Sequence, residues 1–110
     1  MSIQRLTRDA ALALPLQALD SVNGAPRSAT ELQLPGREKA EFGIWESEPG
    51  RFQRTVEEGE IMVILSGYAV FTGTDGQRTE MAEGDTLMFP PMTKGEWVVE
   101  KKLRKLYVLL

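Results

Sequence analysis

Turn-forming residue pairs divide the chain from residue 41 onward into short apolar runs. Pro49-Gly50, Ser66-Gly67 and Pro90-Pro91 each end a run, and Asp75-Gly76 lies between two runs. An Asp-Gly pair between apolar runs is a strong signal for a β-hairpin. Short strands separated by turns at regular spacing are typical of a β-sandwich or barrel, so the sequence predicts an all-β protein.

Eight strands are predicted from these turns, because each run between them is rich in β-branched, aromatic or other apolar residues. They cover residues 42–46, 51–56, 60–65, 68–73, 78–81, 86–89, 95–100 and 103–110.

The beginning of the chain differs from the rest because it lacks apolar mass of its own. We therefore expect an N-terminal arm over residues 1–40 and a β-barrel domain over residues 41–110. Within the arm, Thr7 is placed to cap a short helix over residues 9–14. Residues 30–34 are expected to form a short edge strand.

The chain contains neither cysteine nor histidine. Disulfide scaffolds, zinc–thiolate sites, iron–sulfur clusters and cysteine nucleophiles are therefore excluded for this chain, and so are histidine triads and imidazole metal ligands. The side chains left for chemistry are carboxylates, lysine, arginine, tyrosine and hydroxyls.

The charge pattern argues against a nucleic-acid partner. The formal net charge is −3, and residues 41–100 hold twelve acidic but only four basic side chains, although residues 101–110 add four basic ones. The longest uncharged stretch, residues 10–19, is interrupted by Pro15 and is too short to span a bilayer. We therefore expect a cytoplasmic protein without a membrane or nucleic-acid partner.

Two segments carry patterns that are more specific than the regular spacing of turns and strands. In the first, Glu60 begins an apolar strand that ends at Gly67; in the second, Gly84-Asp85 precedes a strand that ends at Pro90. Gly67 and Gly84 lie at corners that need a positive φ, and Asp85 can accept backbone hydrogen bonds in its turn. With the Asp-Gly hairpin between them, these segments resemble the two motifs of the cupin superfamily, whose members are small antiparallel jelly-roll barrels.

A closer resemblance, over residues 41–110, is to the short single-domain cupins grouped with (S)-ureidoglycine aminohydrolase. That group shares a Trp followed by an acidic residue, a Glu heading the central strand, a Gly-Asp and Phe-Pro segment, a Gly-x-Trp and a C-terminal Arg-Lys-x-Tyr. The resemblance implies a cupin-type jelly-roll barrel. The corresponding residues here are Trp45-Glu46, Glu60, Gly84-Asp85 with Phe89-Pro90, Gly95 with Trp97, and Arg104-Lys105 with Tyr107.

The resemblance does not extend to the superfamily's metal ligands, which are three histidines and a glutamate. The positions of the two first-motif histidines fall at Gln53 and Thr55, or at Arg54 and Val56 if the spacing is one residue shorter. Neither pair of residues can replace two imidazoles as ligands of a transition metal.

The third histidine position falls at Gly95, so Glu60 alone remains of the usual ligands. A single carboxylate without imidazole or thiolate holds a transition metal weakly and without selectivity. We therefore expect no cofactor. Weak manganese or magnesium binding stays open if Glu46, Glu48 or Glu96 joins Glu60 in an all-oxygen site.

Glu60 is the central candidate for a functional residue. It lies on the same face of its strand as Met62 and Ile64, and the cupin register turns that face into the barrel. A carboxylate among apolar side chains is costly unless it is paired. Two interpretations remain open: Glu60 forms a salt bridge with Arg54 or another cation, or it contacts a ligand in the barrel mouth.

The other candidates for a pocket inside the barrel lie on neighbouring strands. Trp97 and Trp45 either fill the barrel or form an aromatic wall for a planar ligand. On the last strand Arg104 and Lys105 face opposite ways, so only one of them faces the interior, where it pairs with Glu60 or binds an anionic substrate. The full candidate set is Glu60, Trp97, Gln53, Trp45, Arg54, Arg104, Lys105 and Tyr107.

Three functions remain open for this chain. The first is a small-molecule-binding cupin of the (S)-ureidoglycine aminohydrolase-like group, with a small polar metabolite in the barrel. The second is a metal-dependent hydrolase or isomerase with oxygen ligands only, and the third is a non-catalytic sensor or structural subunit whose pocket is filled by its own side chains. Because single-domain cupins usually pair and a lone edge strand seeks a partner sheet, we also expect a homodimer, with residues 30–34 as a candidate exchange element.

The purified protein should hold no stoichiometric zinc, iron, copper or nickel, because every nitrogen and sulfur side-chain ligand that such ions prefer is absent from the sequence. Elemental analysis after dialysis against a weak chelator measures this. One such ion per chain would contradict the prediction, whereas weakly held manganese or magnesium would not.

Overall fold

A short helix and eight strands make up the part of the chain that the structure, a computed structural model, describes: residues 2–20 and 23–110. All the strand pairings are antiparallel, which confirms the predicted all-β class. The elements are α1 (Arg8–Ala13), β1 (Gln17–Ala18), β2 (Arg27–Glu31), β3 (Glu41–Ser47), β4 (Gly50–Val56), β5 (Glu60–Gly73), β6 (Arg78–Ala82), β7 (Thr86–Phe89) and β8 (Thr93–Leu109).

Two long strands, β5 and β8, take part in both layers of the fold. The first half of β5 pairs with β7 and with the second half of β8, and this layer continues through β3 and β2 to β1. The second half of β5 pairs with β6 and with the first half of β8, which in turn pairs with β4. The apolar core lies between the layers and includes Trp97, Phe71, Met62 and Leu103. This is a cupin-type, jelly-roll-like arrangement.

The change of layer along β5 occurs at Gly67. The sequence predicted that a strand ends at this point, but β5 continues through it with shifts in pairing register between Ile64 and Ala69. Gly67 has a φ of 96°, and a Cβ atom there would lie 2.1 Å from the carbonyl oxygen of Lys102. Glycine therefore lets the strand bend against β8, which likewise joins two strands that the sequence predicted as separate.

The arm folds onto the barrel of its own chain. The Oγ1 atom of Thr7 accepts a hydrogen bond from the backbone N–H of Ala10 (3.1 Å), which confirms the predicted helix cap. The Arg8 side chain pairs with Glu83 and donates a hydrogen bond to the carbonyl oxygen of Leu65 at 3.0 Å. These contacts join the helix to β5 and to the turn after β6.

The arm strand lies nearer the N-terminus than the sequence predicted. It covers Arg27–Glu31 rather than residues 30–34, and it pairs with β3 of the same chain from Arg27 opposite Ser47 to Glu31 opposite Gly43. Gly24 has a φ of 84°, and the backbone N–H of Ala25 after it donates to the carbonyl oxygen of Arg51 on β4. Strand β2 starts two residues later, at Arg27. No helix among the described residues is long and apolar enough to cross a membrane.

Deleting residues 1–38 should give insoluble protein or, if the arm mediates association, a monomer, because the deletion removes β2 and leaves the backbone edge of β3 unpaired. Light scattering on the full chain and on the truncated chain measures the effect. The homodimer itself remains our proposal, and a full-chain mass near 12.3 kDa would contradict it. A truncated chain that stays a soluble dimer would contradict the role of the arm.

Candidate functional site

A buried carboxylate with two cationic partners lies inside the barrel near one end. The Glu60 side chain is fully buried, and its Oε1 atom accepts a hydrogen bond from Nη2 of Arg54 at 2.8 Å. Its Oε2 atom accepts one from Nζ of Lys105, also at 2.8 Å, and Lys105 is fully buried as well. The paired interpretation of Glu60 is therefore the one that the structure displays.

Strand alternation brings these three side chains together. Along β5, Glu60 shares the inward face with Met62 and Ile64, and the pairing of β5 with β8 sets Lys105 opposite Ile64. Arg54 comes from the inward face of β4, between Phe52 and Val56. The cluster therefore joins strands from both layers across the interior of the barrel.

Aromatic rings surround the ammonium group of Lys105. Its Nζ atom lies 4.5 Å from the ring centroid of Trp45 and 4.8 Å from that of Trp97, distances at which a cation is attracted to a ring face. Burial lowers the pKa of Lys105 to about 8; the charge of Glu60 opposes this shift, and the charge of Arg54 adds to it. Lys105 is therefore a buried amine close to its protonation midpoint in the mildly alkaline range.

A cavity of about 640 Å³ opens above this cluster, between the arm and the mouth of the barrel. The arm side of the cavity includes Arg27, Ala29 and Glu31, which alternate along β2, together with Thr30 and residues 17–20. The barrel side includes Trp45, Arg54, Lys105 and Tyr107. The site is thus a polar cavity with an aromatic wall and a charged floor.

The Tyr107 hydroxyl stays protonated at neutral pH. Its pKa is raised, first by burial and then by the negative charges of Glu31, Glu60 and Glu41. A hydrogen-bond donor therefore faces the same cavity as the two cations Arg54 and Lys105.

Two of the candidates chosen from the sequence lie behind the cavity. Glu60 lies beneath its floor, where both carboxylate oxygens are used by Arg54 and Lys105. Trp97 is fully buried in the core, stacked on Phe52 at a centroid distance of 5.9 Å. Trp97 therefore fills the barrel, as one of the two interpretations held, and it forms no wall of this cavity.

Gln53 and Arg104 face away from the cavity. Gln53 is exposed, because it alternates with the inward Phe52 and Arg54 on β4. Arg104 points to the outer face of β8, where its Nε atom donates to Oε2 of Glu46 at 2.8 Å. Its Nη1 atom also donates to the carbonyl oxygens of Ala11 and Leu14, so this side chain holds the end of α1. On the last strand, Lys105 is therefore the residue that faces the interior.

The residues that the arm contributes to the cavity were not predicted from the sequence. Arg27, Ala29 and Glu31 would have been found from their alternation, had the strand been assigned to residues 27–31. The segment gave no signal because its inward positions are polar at both ends and its only apolar inward residue is the small Ala29.

The metal centre usual for cupins does not fit the residues present. Of the alternatives for the first-motif histidine positions, Arg54 and Val56 face inward, so a guanidinium lies where an imidazole would bind a metal. Both oxygens of Glu60 accept hydrogen bonds from cations, and no three acidic side chains among residues 2–20 and 23–110 lie close enough together to hold an ion. The donor set therefore repels a metal cation.

Replacing Glu60 by glutamine should destabilise the protein strongly, because Lys105 and Arg54 lose the carboxylate that they share. Breaking one side of a buried ion pair typically costs about 3–5 kcal/mol, against about 5–15 kcal/mol of total stability for a small domain. Urea denaturation measures the loss. The control is Glu80→Gln, since Glu80 forms an exposed pair with Arg78 at the same 2.8 Å separation and should matter little.

The stability that Glu60→Gln loses relative to the wild type should also depend on pH. Without Glu60 the folded-state pKa of Lys105 falls further below the unfolded value, since the charge that raises it is gone. Between the two pKa values the unfolded chain binds more protons than the folded chain, so the free energy of unfolding rises with pH over that window. The deficit of Glu60→Gln relative to the wild type should therefore be smaller at about pH 9 than at about pH 6. An equal deficit at both pH values would contradict the assignment of the buried charge to Lys105.

Comparison with known proteins identifies the fold family. The sequence model of the EutQ-like cupin domain matches residues 36–107. Sequence comparison with proteins of curated function gave no match.

Solved structures of similar fold include proteins with several descriptions. The EutQ protein of Clostridium difficile is 20% identical, with a TM-score of 0.76, over 87% of this chain and 79% of that one. A DUF861 family protein from Thermotoga maritima is 27% identical, with a TM-score of 0.61, over 74% of this chain and 99% of that one. A Thermotoga maritima protein described as a predicted oxalate decarboxylase is 20% identical, with a TM-score of 0.69, over 91% and 96% of the two chains.

These likenesses concern the fold, and the family match covers most of the chain, including every strand of the barrel that contributes to the ion cluster. The chain therefore belongs to the family of EutQ-like cupin domains.

Proposed function

We propose that the protein is a small-molecule-binding cupin that works without a metal ion and holds its ligand in the cavity between the arm and the barrel mouth. The observation that carries this proposal is the combination of a cavity of about 640 Å³ with a floor of buried charges. Binding sites for small molecules are concave and partly apolar, with a few convergent polar groups, and this cavity has that composition.

The charged floor favours binding over a purely structural role. A buried ion pair is weak evidence for stability, because well-packed apolar residues of similar volume often stabilise a fold as much or more. Lys105 and Glu60 therefore contribute little that a pair of apolar residues could not supply at the same place. The pair lies beneath an open cavity, and Glu60 also binds Arg54, which lines that cavity. The pair can therefore hold the Arg54 side chain in place for a ligand.

A second candidate is the non-catalytic structural or sensor subunit. It is favoured by the filled interior, where Trp97, Met62, Ile64 and Leu103 are fully or almost fully buried. The metal-dependent hydrolase or isomerase gains no such support, because both oxygens of Glu60 are already bound by cations.

Kinship with the (S)-ureidoglycine aminohydrolase-like cupins remains part of the proposal, supported by the short motifs that the chain shares with them. The homodimer and the cytoplasmic location expected from the sequence are proposals in the same sense. Catalysis is not proposed, since binding alone accounts for the arrangement of the side chains.

A thermal-shift screen against small polar metabolites should find at least one that raises the melting temperature. A ligand at a hundred times its dissociation constant adds about 2.7 kcal/mol of stability, which is roughly 10–20 °C for a domain of this size. The variant Ala29→Leu extends a side chain into the cavity opposite Trp45 and should abolish the shift.

The matched control is Ser28→Leu, which places the same side chain on the opposite face of β2, outside the cavity lining. It should retain the shift. A screen without any stabilising compound, or a shift that survives in Ala29→Leu, would favour the structural role over the binding role.

A further inference from the structure

We propose that the ligand of this cavity carries a carboxylate group, which Arg27 and Arg54 bind from opposite walls, with the pair of Lys105 and Glu60 holding Arg54 in place. This inference rests on the proposed function and adds the chemical class of the ligand. It assigns a role to Arg27, which lies in the arm outside the cupin motifs.

Arg27 is a positioned cation without a carboxylate partner. Its guanidinium carbon lies 4.2 Å from the ring centroid of Phe52, so the guanidinium group is held against an aromatic face. Its Nη2 atom donates to the carbonyl oxygen of Asn23 at 2.8 Å, and Arg27 takes part in no ion pair among the residues that the structure describes. A guanidinium has five N–H donors, so most of the donors of Arg27 remain for a ligand.

Arg54 faces the same cavity from the barrel side and is only partly neutralised. One of its nitrogens binds Oε1 of Glu60, but Lys105 binds the other oxygen of that carboxylate. One buried negative charge is therefore shared between two cations, and Arg27 adds a third. The floor and this end of the cavity carry an excess of positive charge.

Arg27 and Arg54 line the same cavity, one from the arm and the other from the barrel. The pKa of Arg27 is lowered, first by its burial and then by the charge of Arg54. Like charges converging on a half-closed space are costly unless an anion comes between them, and a guanidinium binds a carboxylate through two parallel hydrogen bonds. An anionic ligand at this position would relieve the repulsion and use donors that are already oriented.

Carboxylate is favoured over a more highly charged anion by the far end of the cavity. Glu31 lies four residues along β2 from Arg27, roughly 13 Å away on the same face. Asp20 lines the cavity at the arginine end, because the backbone N–H of Leu19 donates to the carbonyl oxygen of Arg27, and there Arg27, Arg54 and Lys105 still outnumber Asp20 and Glu60. The Glu31 side chain would repel a phosphate or a polyanion that extended beyond the arginines. A ligand that has one carboxylate at the arginines and a neutral or cationic group near Glu31 fits the charges at both ends of the cavity.

The test compares carboxylic acids with their own amides, so that charge changes while shape is nearly kept. Sodium acetate, lactate, pyruvate, glycinate and succinate are each measured beside the corresponding amide by thermal shift and calorimetry, with sodium phosphate as a further arm. At least one acid should raise the melting temperature, its amide should bind at least about tenfold more weakly, and phosphate should bind more weakly than that acid.

Variants then assign the interaction to Arg27. Arg27→Gln should weaken binding of the active acid about tenfold or more, and Arg27→Lys, which keeps the charge but loses the planar fork, should recover only part of the affinity. Arg78→Gln is the control, because Arg78 is exposed, pairs with Glu80 and lies outside the cavity. It should bind like the wild type.

The outcomes separate this inference from the proposed function. If amides or other neutral compounds bind as well as acids and Ala29→Leu blocks them, the cavity binds small molecules but the carboxylate inference is wrong. Preferred binding of phosphate, or an unchanged affinity in Arg27→Gln, overturns it as well. If no compound of any class binds, the proposed function fails and this inference fails with it.

Discussion

The buried contact between Glu60 and Lys105 sets the constraint on which the rest of the site depends. Two ionised groups in the interior lose their hydration, and their attraction compensates only if each finds further partners. Here Arg54 takes the second oxygen of Glu60, and the rings of Trp45 and Trp97 lie beside the ammonium group of Lys105. Because the three charged residues come from β4, β5 and β8, a slip of one residue in any of these strands would bury an unpaired charge.

The cluster of Arg54, Glu60 and Lys105 depends on how β5 and β8 bend. Each strand pairs with one set of neighbours before the bend and with another set after it, so both layers are held by the same two strands. The bend at Gly67 needs a residue without a Cβ atom, because the backbone of Lys102 passes within contact distance. The meeting of Arg54 from one layer with Glu60 and Lys105 from the other therefore depends partly on a glycine that lies outside the site.

The sequence predicted the fold class and offered the pairing of Glu60 as one of two interpretations, because both depend on local patterns: turn residues at regular spacing and a carboxylate on an apolar face. It did not decide which of Arg104 and Lys105 faces inward. Alternation shows only that the two differ, and the answer comes from the register of β8 against β5, which sets Lys105 opposite the inward Ile64. The cavity wall on β2 was missed because Arg27 and Glu31 occupy inward positions without any apolar periodicity, and only pairing with β3 reveals their direction.

The chain differs from a metal-binding cupin in the source of the positive charge beside Glu60, the glutamate of the cupin pattern. In the superfamily pattern that the sequence resembles, histidines and a glutamate surround a metal cation inside the barrel. In this chain the glutamate remains, while Arg54 lies at an inward histidine position and the ammonium of Lys105 binds the same carboxylate. Fixed cations of the protein thus supply positive charge beside Glu60 where a metal ion would supply it. Such a site needs no metal to attract an anion, but it lacks the open coordination positions through which a metal activates water or polarises a substrate. The substitution is consistent with recognition of a charged small molecule without metal-dependent chemistry.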